Sequence, residues 1–137
     1  MPENHPLTNN ARIDRKKISS EQMLLLGEGH CFREQVLKAC PGIIKNSNAN
    51  QSVTEGSSLE TLRHMVASGF GITVLPQTAA GTQQYAPGLL TTRQFKSPGP
   101  SRTVALAWRT SFTRPQVIDV LNQAIRACQL STPKSRL

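Results

Sequence analysis

The strongest constraint on the fold is the alternation of short apolar runs with stretches of helical periodicity. The apolar runs are bounded by glycine, proline or polar residues, which is typical of buried strands. They lie at residues 23–26, 71–75 and 103–108, with a weaker candidate at 51–54. Between them, apolar residues recur every three or four positions, as on one face of a helix. Strands that alternate with helices predict an α/β fold with parallel strands.

Two of the predicted helices carry recognisable start and end signals. Ser57 followed by Glu60 fits a capping box, with Ser57 as the N-cap. Gly69 stands where a helix C-terminal glycine is expected. Thr113 can cap the last helix, with Pro115 in its first turn and Gln116 completing a second capping-box pattern. Weaker signals predict a short helical turn at residues 77–81 and an irregular edge strand at residues 89–95.

Length and charge narrow the class of protein. The 137 residues suffice for one domain with a core. A net charge of +8 and a pI near 10.1 permit an anionic or nucleic-acid partner. A face that binds single-stranded nucleic acid combines basic residues with aromatic ones. The one local basic run, Arg15-Lys16-Lys17, contains no aromatic residues. Direct nucleic-acid contact therefore stays open, but a solvated basic surface is favoured.

From these residues we expect neither a secretory leader nor a membrane-spanning stretch. The first residues, MPENHPLTNN, are polar and lack an apolar core. No stretch approaches the roughly 20 apolar residues that a membrane helix needs. The three cysteines are an odd number, which argues against a secreted disulfide framework. We therefore expect a reducing cytoplasm, where a disulfide is more often transient and regulatory than structural.

Cys31 and Cys40 lie at the two ends of a predicted helix within GHCFREQVLKAC. Nine helical steps separate their Cα atoms by roughly 13 Å, and the two side chains point to nearly opposite sides. A disulfide needs Cα atoms within about 7 Å of each other. If the two thiols react with each other, the helix between them must unwind. Oxidation state would then be coupled to shape.

Cys31 has the sequence surroundings of a reactive thiol. It follows a predicted strand at the start of a helix, where backbone N–H groups favour a thiolate, and His30 and Arg33 are close in sequence. A thiolate attacks peroxide to give a sulfenic acid, which a second thiol converts to a disulfide. Cys40 is the nearest candidate in sequence. Cysteines are also common as small buried apolar residues. Such a packing role stays open for Cys40 and is favoured for Cys128.

Two other kinds of cysteine site are disfavoured. A zinc site needs C-x₂₋₄-C or H-x₃₋₅-H spacing, and the sequence has neither. A cysteine hydrolase needs a histidine and an orienting residue beside Cys31. His64 lies in a predicted helix with no evident partner. We therefore predict no metal site and no cofactor.

Two segments of the chain resemble a known family. The first is GHCFREQ at residues 29–35 with Cys40 after it, and the second contains SLETLR, MVASG and GITVLP within residues 58–76. Together they resemble OxyR-type peroxide sensors, which are bacterial transcription regulators of the LysR family. The second cysteine, nine residues after His-Cys, is the discriminating part. The resemblance is specific over residues 23–76 and fair over residues 102–128.

The resemblance implies roles for individual residues. Cys31 matches the peroxide-reactive cysteine, and Cys40 matches the resolving cysteine. Positions around the thiol pocket are matched by His30, Arg33, Gln35 and Arg102. Glu60 matches a position near the subunit interface, so the resemblance also implies self-association through the regulatory domain.

The resemblance further implies a periplasmic-binding-protein-like regulatory domain, of which this chain holds mostly the second lobe. Residues 1–100 match that lobe, residues 101–130 match the returning strand and helix of the first lobe, and residues 131–137 form a frayed tail. The family's DNA-binding helix-turn-helix is not in this sequence. DNA and RNA polymerase are therefore implied as partners only through parts of a full-length protein.

The function implied is the redox-sensing part of a hydrogen-peroxide-responsive activator. Peroxide oxidises Cys31, Cys40 resolves the product to a disulfide, the helix is remodelled, and thiol reductants reset it. One alternative is a LysR effector domain with inert cysteines that binds a small anion at the helix starts near Ser58 and Cys31. Another is a thiol enzyme that consumes peroxide over many turnovers, although we expect no enzymatic activity.

Overall fold

The computed structural model describes residues 1–45, 54–81 and 88–128. The chain divides into two compact units, Met1–Pro100 and Ser101–Leu137, which we describe separately. Their assignment to two lobes stays a prediction. The predicted tail and most of the predicted strand at 51–54 lie outside the described residues.

Unit 1 alternates short strands with helices. Its helices are α1 (Cys31–Ala39), α2 (Gly42–Lys45) and α3 (Leu59–Ala67), and its strands are β1 (Arg12–Ile13), β2 (Leu24–Leu26), β3 (Thr54–Gly56) and β4 (Gln94–Phe95). Three 3₁₀ turns lie at Pro6–Asn9, Arg15–Lys17 and Gln77–Ala79. Strand β1 pairs with β4 and β2 pairs with β3, both in parallel. The predicted α/β class with parallel strands is confirmed.

Strand β2 lies at the centre of the core, because all three of its leucines are buried. Successive side chains of a strand point to opposite faces. Leu25 therefore packs in one apolar cluster with Val36 of α1. Leu24 and Leu26 pack in a second cluster with Leu62 of α3. A parallel strand covered on both faces explains the uninterrupted apolar run in the sequence.

The predicted strand at residues 71–75 is wrong as a regular strand. Ile72 forms only an isolated parallel bridge with Met23, and its N–H donates to the Gln22 carbonyl oxygen at 2.7 Å. The backbone approaches so closely here that a Cβ on Gly71 would lie 2.3 Å from the Gln22 oxygen. This segment therefore lies beside β2 through close backbone contact, with too little pairing to form a strand.

Helix α3 begins one residue later than the capping-box pattern predicts. Ser58, rather than Ser57, is the N-cap, and its Oγ accepts a hydrogen bond from the Thr61 N–H at 3.0 Å. The backbone of Ser58 is extended, as an N-cap requires. At the other end, Gly69 has a φ of +82°, which confirms the predicted C-terminal glycine.

Unit 2 contains helix α4 (Pro115–Ala127) and no strand within its described residues. The predicted strand at 103–108 is therefore wrong, and its side chains are largely exposed, with Val104 at 79 %. A strand needs a hydrogen-bonded neighbour, and this segment pairs with no described strand. Arg114, rather than Thr113, is the N-cap of α4. No helix of the described residues is long and apolar enough to cross a membrane.

Candidate redox site around helix α1

Helix α1 separates the two candidate thiols. Cys31 is its first residue and is exposed, whereas Cys40 is its C-cap residue and is 0 % exposed. Helix geometry places their Cα atoms roughly 13 Å apart. Both are free thiols, as this separation requires. The predicted helix between them is confirmed.

Local sequence and packing both hold α1 in place. Gly29, with a φ of +86°, turns the chain from the end of β2 towards the start of the helix. Val36 buries the inner face of α1 in the core. The Cys40 N–H still donates to the Val36 carbonyl oxygen at 2.9 Å, and the helix then ends before Pro41. The helix is thus anchored at its C-terminal half.

Cys40 lies inside the apolar core of unit 1. It shares a cluster with Val36 and with Ile43 of α2, which is 1 % exposed. Burial raises the pKa of the Cys40 thiol, and the positive charge of Arg15 partly opposes this increase. The thiol therefore stays protonated in the folded chain at neutral pH. Its interpretation as a packed core residue in the reduced state agrees with this burial.

Arg33 connects the first turn of α1 to the paired strands. Its Nη1 donates to the Leu26 carbonyl oxygen at 2.8 Å and forms an ion pair with Glu55 Oε1 at 2.7 Å. Leu26 ends β2, and Glu55 lies in β3. Sequence reasoning missed Glu55, because the local pattern of β3 does not indicate that this side chain meets a residue of α1.

The other predicted pocket residues differ in their placement. His30 is the N-cap of α1, and its carbonyl oxygen accepts the Arg33 N–H at 2.9 Å, although its side chain makes no capping hydrogen bond. Gln35 is exposed on α1. His30, Cys31 and Arg33 are thus gathered at the start of α1. Arg102 is an exposed residue of unit 2, so its predicted role in the pocket stays a prediction.

Cys128 departs from its predicted role as a packing residue. It is exposed at the end of α4, where its N–H donates to the Ala124 carbonyl oxygen at 3.1 Å. The apolar stripe of α4 to which it belongs is itself exposed, with Leu121 at 44 %. Across the described parts of the chain, no three His, Cys, Asp or Glu side chains are grouped as metal ligands.

Comparison with curated proteins finds peroxide-inducible regulators. A probable hydrogen peroxide-inducible genes activator of Streptomyces viridosporus is 36% identical over 132 residues, which are 96% of this chain and 42% of the relative. The DNA-binding transcriptional dual regulator OxyR of Escherichia coli K12 is 34% identical over 125 residues, 91% of this chain and 40% of the relative. The chain thus spans about two fifths of the length of these relatives.

Solved structures of the same kind share the fold. The reduced form of the OxyR regulatory domain from Pseudomonas aeruginosa is 52% identical with a TM-score of 0.78, over 93% of this chain and 59% of that one. A reduced form of OxyR from N. meningitidis is 35% identical with a TM-score of 0.77, and the match covers 95% of this chain and 58% of that one. These matches confirm the predicted LysR-type regulatory fold.

The family itself follows from a match over nearly the whole chain. The LysR substrate binding domain matches residues 1–129. The curated relatives and the solved structures are regulators of this type with names that refer to hydrogen peroxide or OxyR. The chain therefore belongs to the LysR substrate-binding domain family.

Proposed function

We propose that this chain is the redox-sensing part of a hydrogen-peroxide-responsive transcriptional activator. The observation that carries the proposal is the separation of two free thiols by a single helix, with Cys31 exposed and Cys40 fully buried. The relatives named for induction by hydrogen peroxide support peroxide as the signal. Because α1 keeps the two thiols apart, a disulfide between them would change the conformation of this helix.

Peroxide reacts first with the accessible thiol. The sulfur of ionised Cys31 attacks one oxygen of hydrogen peroxide, the O–O bond breaks, and hydroxide leaves. Cys31 is thereby oxidised to a sulfenic acid while the peroxide is reduced. His30, Arg33 and Gln35, together with Arg102, are our candidates for the residues that surround peroxide at this step.

Cys40 completes the reaction. Its sulfur attacks the sulfenic sulfur of Cys31, the S–S bond forms, and the S–O bond breaks. The leaving oxygen takes up protons and departs as water. In total, two thiols lose two hydrogens and one peroxide becomes two waters. Because the Cα atoms must come from roughly 13 Å to within about 7 Å, α1 unwinds, and thiol reductants restore it.

The remodelled helix is the signal that the rest of the regulator reads. We propose that the change passes through self-association of the regulatory domain, to which Glu60 of α3 contributes. Contacts with DNA and RNA polymerase then change in the full-length protein. Because the chain spans about two fifths of the relatives' length, the contacts with DNA and RNA polymerase are proposed for the full-length protein only.

One experiment tests the proposal. The reduced chain receives one equivalent of hydrogen peroxide, is quenched by alkylation, and is analysed by peptide mass spectrometry without reduction. We expect a Cys31–Cys40 disulfide and faster hydrogen exchange in α1. A Cys40→Ser variant should hold a sulfenic acid at Cys31, whereas a Cys128→Ser control should still form the disulfide. No Cys31–Cys40 linkage, with unchanged exchange in α1, would falsify the proposal.

The same preparation separates the alternatives. A ligand-binding effector domain would be stabilised by a metabolite in a thermal-shift panel, with Cys31→Ser responding like the unchanged chain. A thiol enzyme would consume many equivalents of peroxide in the presence of a reductant at a steady rate. The proposed sensor should instead react once for each cycle of slow reduction.

A further inference from the structure

Arg33 ties the first turn of α1 to the last residue of β2 and to the middle residue of β3. Its Nη1 contacts the Leu26 carbonyl oxygen at 2.8 Å and Glu55 Oε1 at 2.7 Å. The Arg33 side chain is 16% exposed and that of Glu55 is 41% exposed, so the ion pair is partly shielded from water. We call these three groups, the Arg33 guanidinium, the Leu26 carbonyl and the Glu55 carboxylate, the Arg33 clasp.

We infer that the Arg33 clasp sets the threshold at which the redox helix responds, with Glu55 as a positioning residue. Glu55 holds α1 in its helical form, in which the thiols are apart, and so opposes formation of the Cys31–Cys40 disulfide. The inference rests on the proposed function, since it concerns the same pair of thiols. It assigns a role to a residue outside α1 and outside the predicted pocket.

The Glu55 carboxylate lies beside the end of β2. Gly27 follows β2 directly, and a Cβ at this position would lie 3.4 Å from Glu55 Oε2. The Gly27 N–H donates to the Gly56 carbonyl oxygen at 3.1 Å, which continues the pairing of β2 with β3 beyond the last leucine. The carboxylate is thus carried on a paired strand, and Arg33 is held against a fixed part of the sheet.

The opposite end of α1 is more strongly packed than the end that carries the clasp. Cys40 is fully buried in the core. Gly42, two residues later, lies close to the end of the 3₁₀ turn at Arg15–Lys17, and a Cβ on it would be 2.5 Å from the Ile18 carbonyl oxygen. Moving this end opens the core around Cys40, whereas moving the Cys31 end breaks the clasp and separates only the partly buried Phe32 from the two apolar clusters. We therefore expect the first turn to move when the disulfide forms, and Arg33 to leave Glu55.

The ion pair between Arg33 and Glu55 determines in which direction the midpoint potential of the thiol pair shifts. A contact present in the reduced form and lost in the disulfide form stabilises the reduced form alone. Removing the Glu55 charge therefore makes the disulfide relatively more stable, and the midpoint potential of the pair becomes more negative. A partly exposed ion pair contributes modestly, so we expect the equilibrium constant for disulfide formation to rise about threefold. For this two-electron couple, that corresponds to a shift of about 14 mV.

The test compares Glu55 variants in a background that carries Cys128→Ser, so that Cys31 and Cys40 are the remaining thiols. Each protein is equilibrated with mixtures of reduced and oxidised glutathione and is then alkylated. Mass spectrometry gives the fractions of reduced protein and of protein with the Cys31–Cys40 disulfide. The variants are Glu55→Gln, which removes the charge, and Glu55→Asp, which keeps it. The matched control is Glu28→Gln, which removes the charge of an exposed glutamate in the connection between β2 and α1. Circular dichroism confirms that each variant is folded.

The inference expects three results together. Glu55→Gln forms the disulfide about threefold more favourably, Glu55→Asp restores part of the difference, and Glu28→Gln behaves as the unchanged protein. High salt should move the midpoint of the unchanged protein towards that of Glu55→Gln and leave Glu55→Gln nearly unaffected, because salt screens the ion pair.

Two other outcomes would overturn it in distinguishable ways. If the unchanged protein forms the disulfide but Glu55→Gln has the same midpoint, or if Glu28→Gln shifts equally, the clasp does not set the threshold and the proposed function stands. If the unchanged protein forms no Cys31–Cys40 disulfide after one equivalent of hydrogen peroxide, the proposed function fails and the inference fails with it.

Discussion

Cys31 and Cys40 differ in their access to solvent, and this difference orders the proposed reaction. The thiol of Cys31 is exposed to dissolved peroxide, whereas that of Cys40 is buried. In the proposed reaction, Cys40 therefore reacts only after α1 unwinds and brings Cys31 to it. A small apolar side chain that is packed away while reduced can therefore serve as a reserve nucleophile. Its release depends on the unwinding of α1, so the second step is conformational as well as chemical.

We expect alkylation to distinguish the two thiols in the folded, reduced chain. Iodoacetamide should modify Cys31 readily and Cys40 more than about tenfold more slowly, because burial excludes the reagent and raises the pKa of the Cys40 thiol. Peptide mass spectrometry after timed quenching measures both rates. In denaturant the two rates should converge. Equal rates in the folded chain would contradict the burial of Cys40.

The raised pKa of Cys40 also predicts how stability depends on pH. The folded chain binds this proton more tightly than the unfolded chain, whose thiol has a pKa near 9.0. The stabilising contribution is therefore complete below that value and is lost as the pH rises through the folded-state pKa. The urea midpoint should fall between about pH 8 and about pH 10 by more in the unchanged chain than in Cys40→Ala. The exposed-thiol variant Cys128→Ala should keep the full pH dependence.

At the scale of elements, the helices depend on local signals and the strands on distant partners. Helix α3 has its own N-cap and its own C-terminal glycine, so sequence reasoning found it with an error of one residue at its start. The run at residues 71–75 has an apolar pattern similar to that of β2, yet it forms one bridge only. The pattern predicts burial correctly at Gly71 and Ile72, whereas residues 73–75 are only partly buried. The close approach of Gly71 to Gln22 decides the pairing.

The corrected start of α3 can be tested by substitution. Ser58→Ala should lower the free energy of unfolding by about 1 kcal/mol, because it removes the acceptor of the Thr61 N–H. Ser57→Ala is the matched control and should have a smaller effect. Among the described residues, the Ser57 Oγ forms a hydrogen bond with the Thr61 Oγ1 at 3.3 Å and none with a backbone N–H of α3. Urea unfolding followed by circular dichroism measures both changes. A larger effect at Ser57 would restore the original capping-box prediction.

At the scale of the whole molecule, the two units differ in how far they bury their side chains. Unit 1 has two apolar clusters around β2. In the described part of unit 2, no residue falls below intermediate exposure. A helix of 13 residues such as α4 is marginally stable in water without tertiary packing. Protection against local opening should therefore be concentrated in unit 1.

Hydrogen exchange of the reduced chain measures this difference. We expect backbone amides of α4 to exchange faster than those of α3, whose Leu62 and Val66 are buried against β2. The two helices provide an internal comparison within one sample. Protection of α4 equal to that of α3 would show that unit 2 is packed more tightly than its exposed side chains indicate.

The sequence by itself determined the α/β class, helix α1 and the separation of the two thiols, because periodicity, caps and helix geometry are properties of neighbouring residues. Its resemblance to peroxide sensors also anticipated the family. Only the tertiary structure decided that Cys40 is fully buried, that residues 103–108 form no strand, and that Glu55 is the partner of Arg33. These features depend on the register in which β3 pairs with β2 and on packing between distant segments. No local pattern encodes which distant segment a residue will meet.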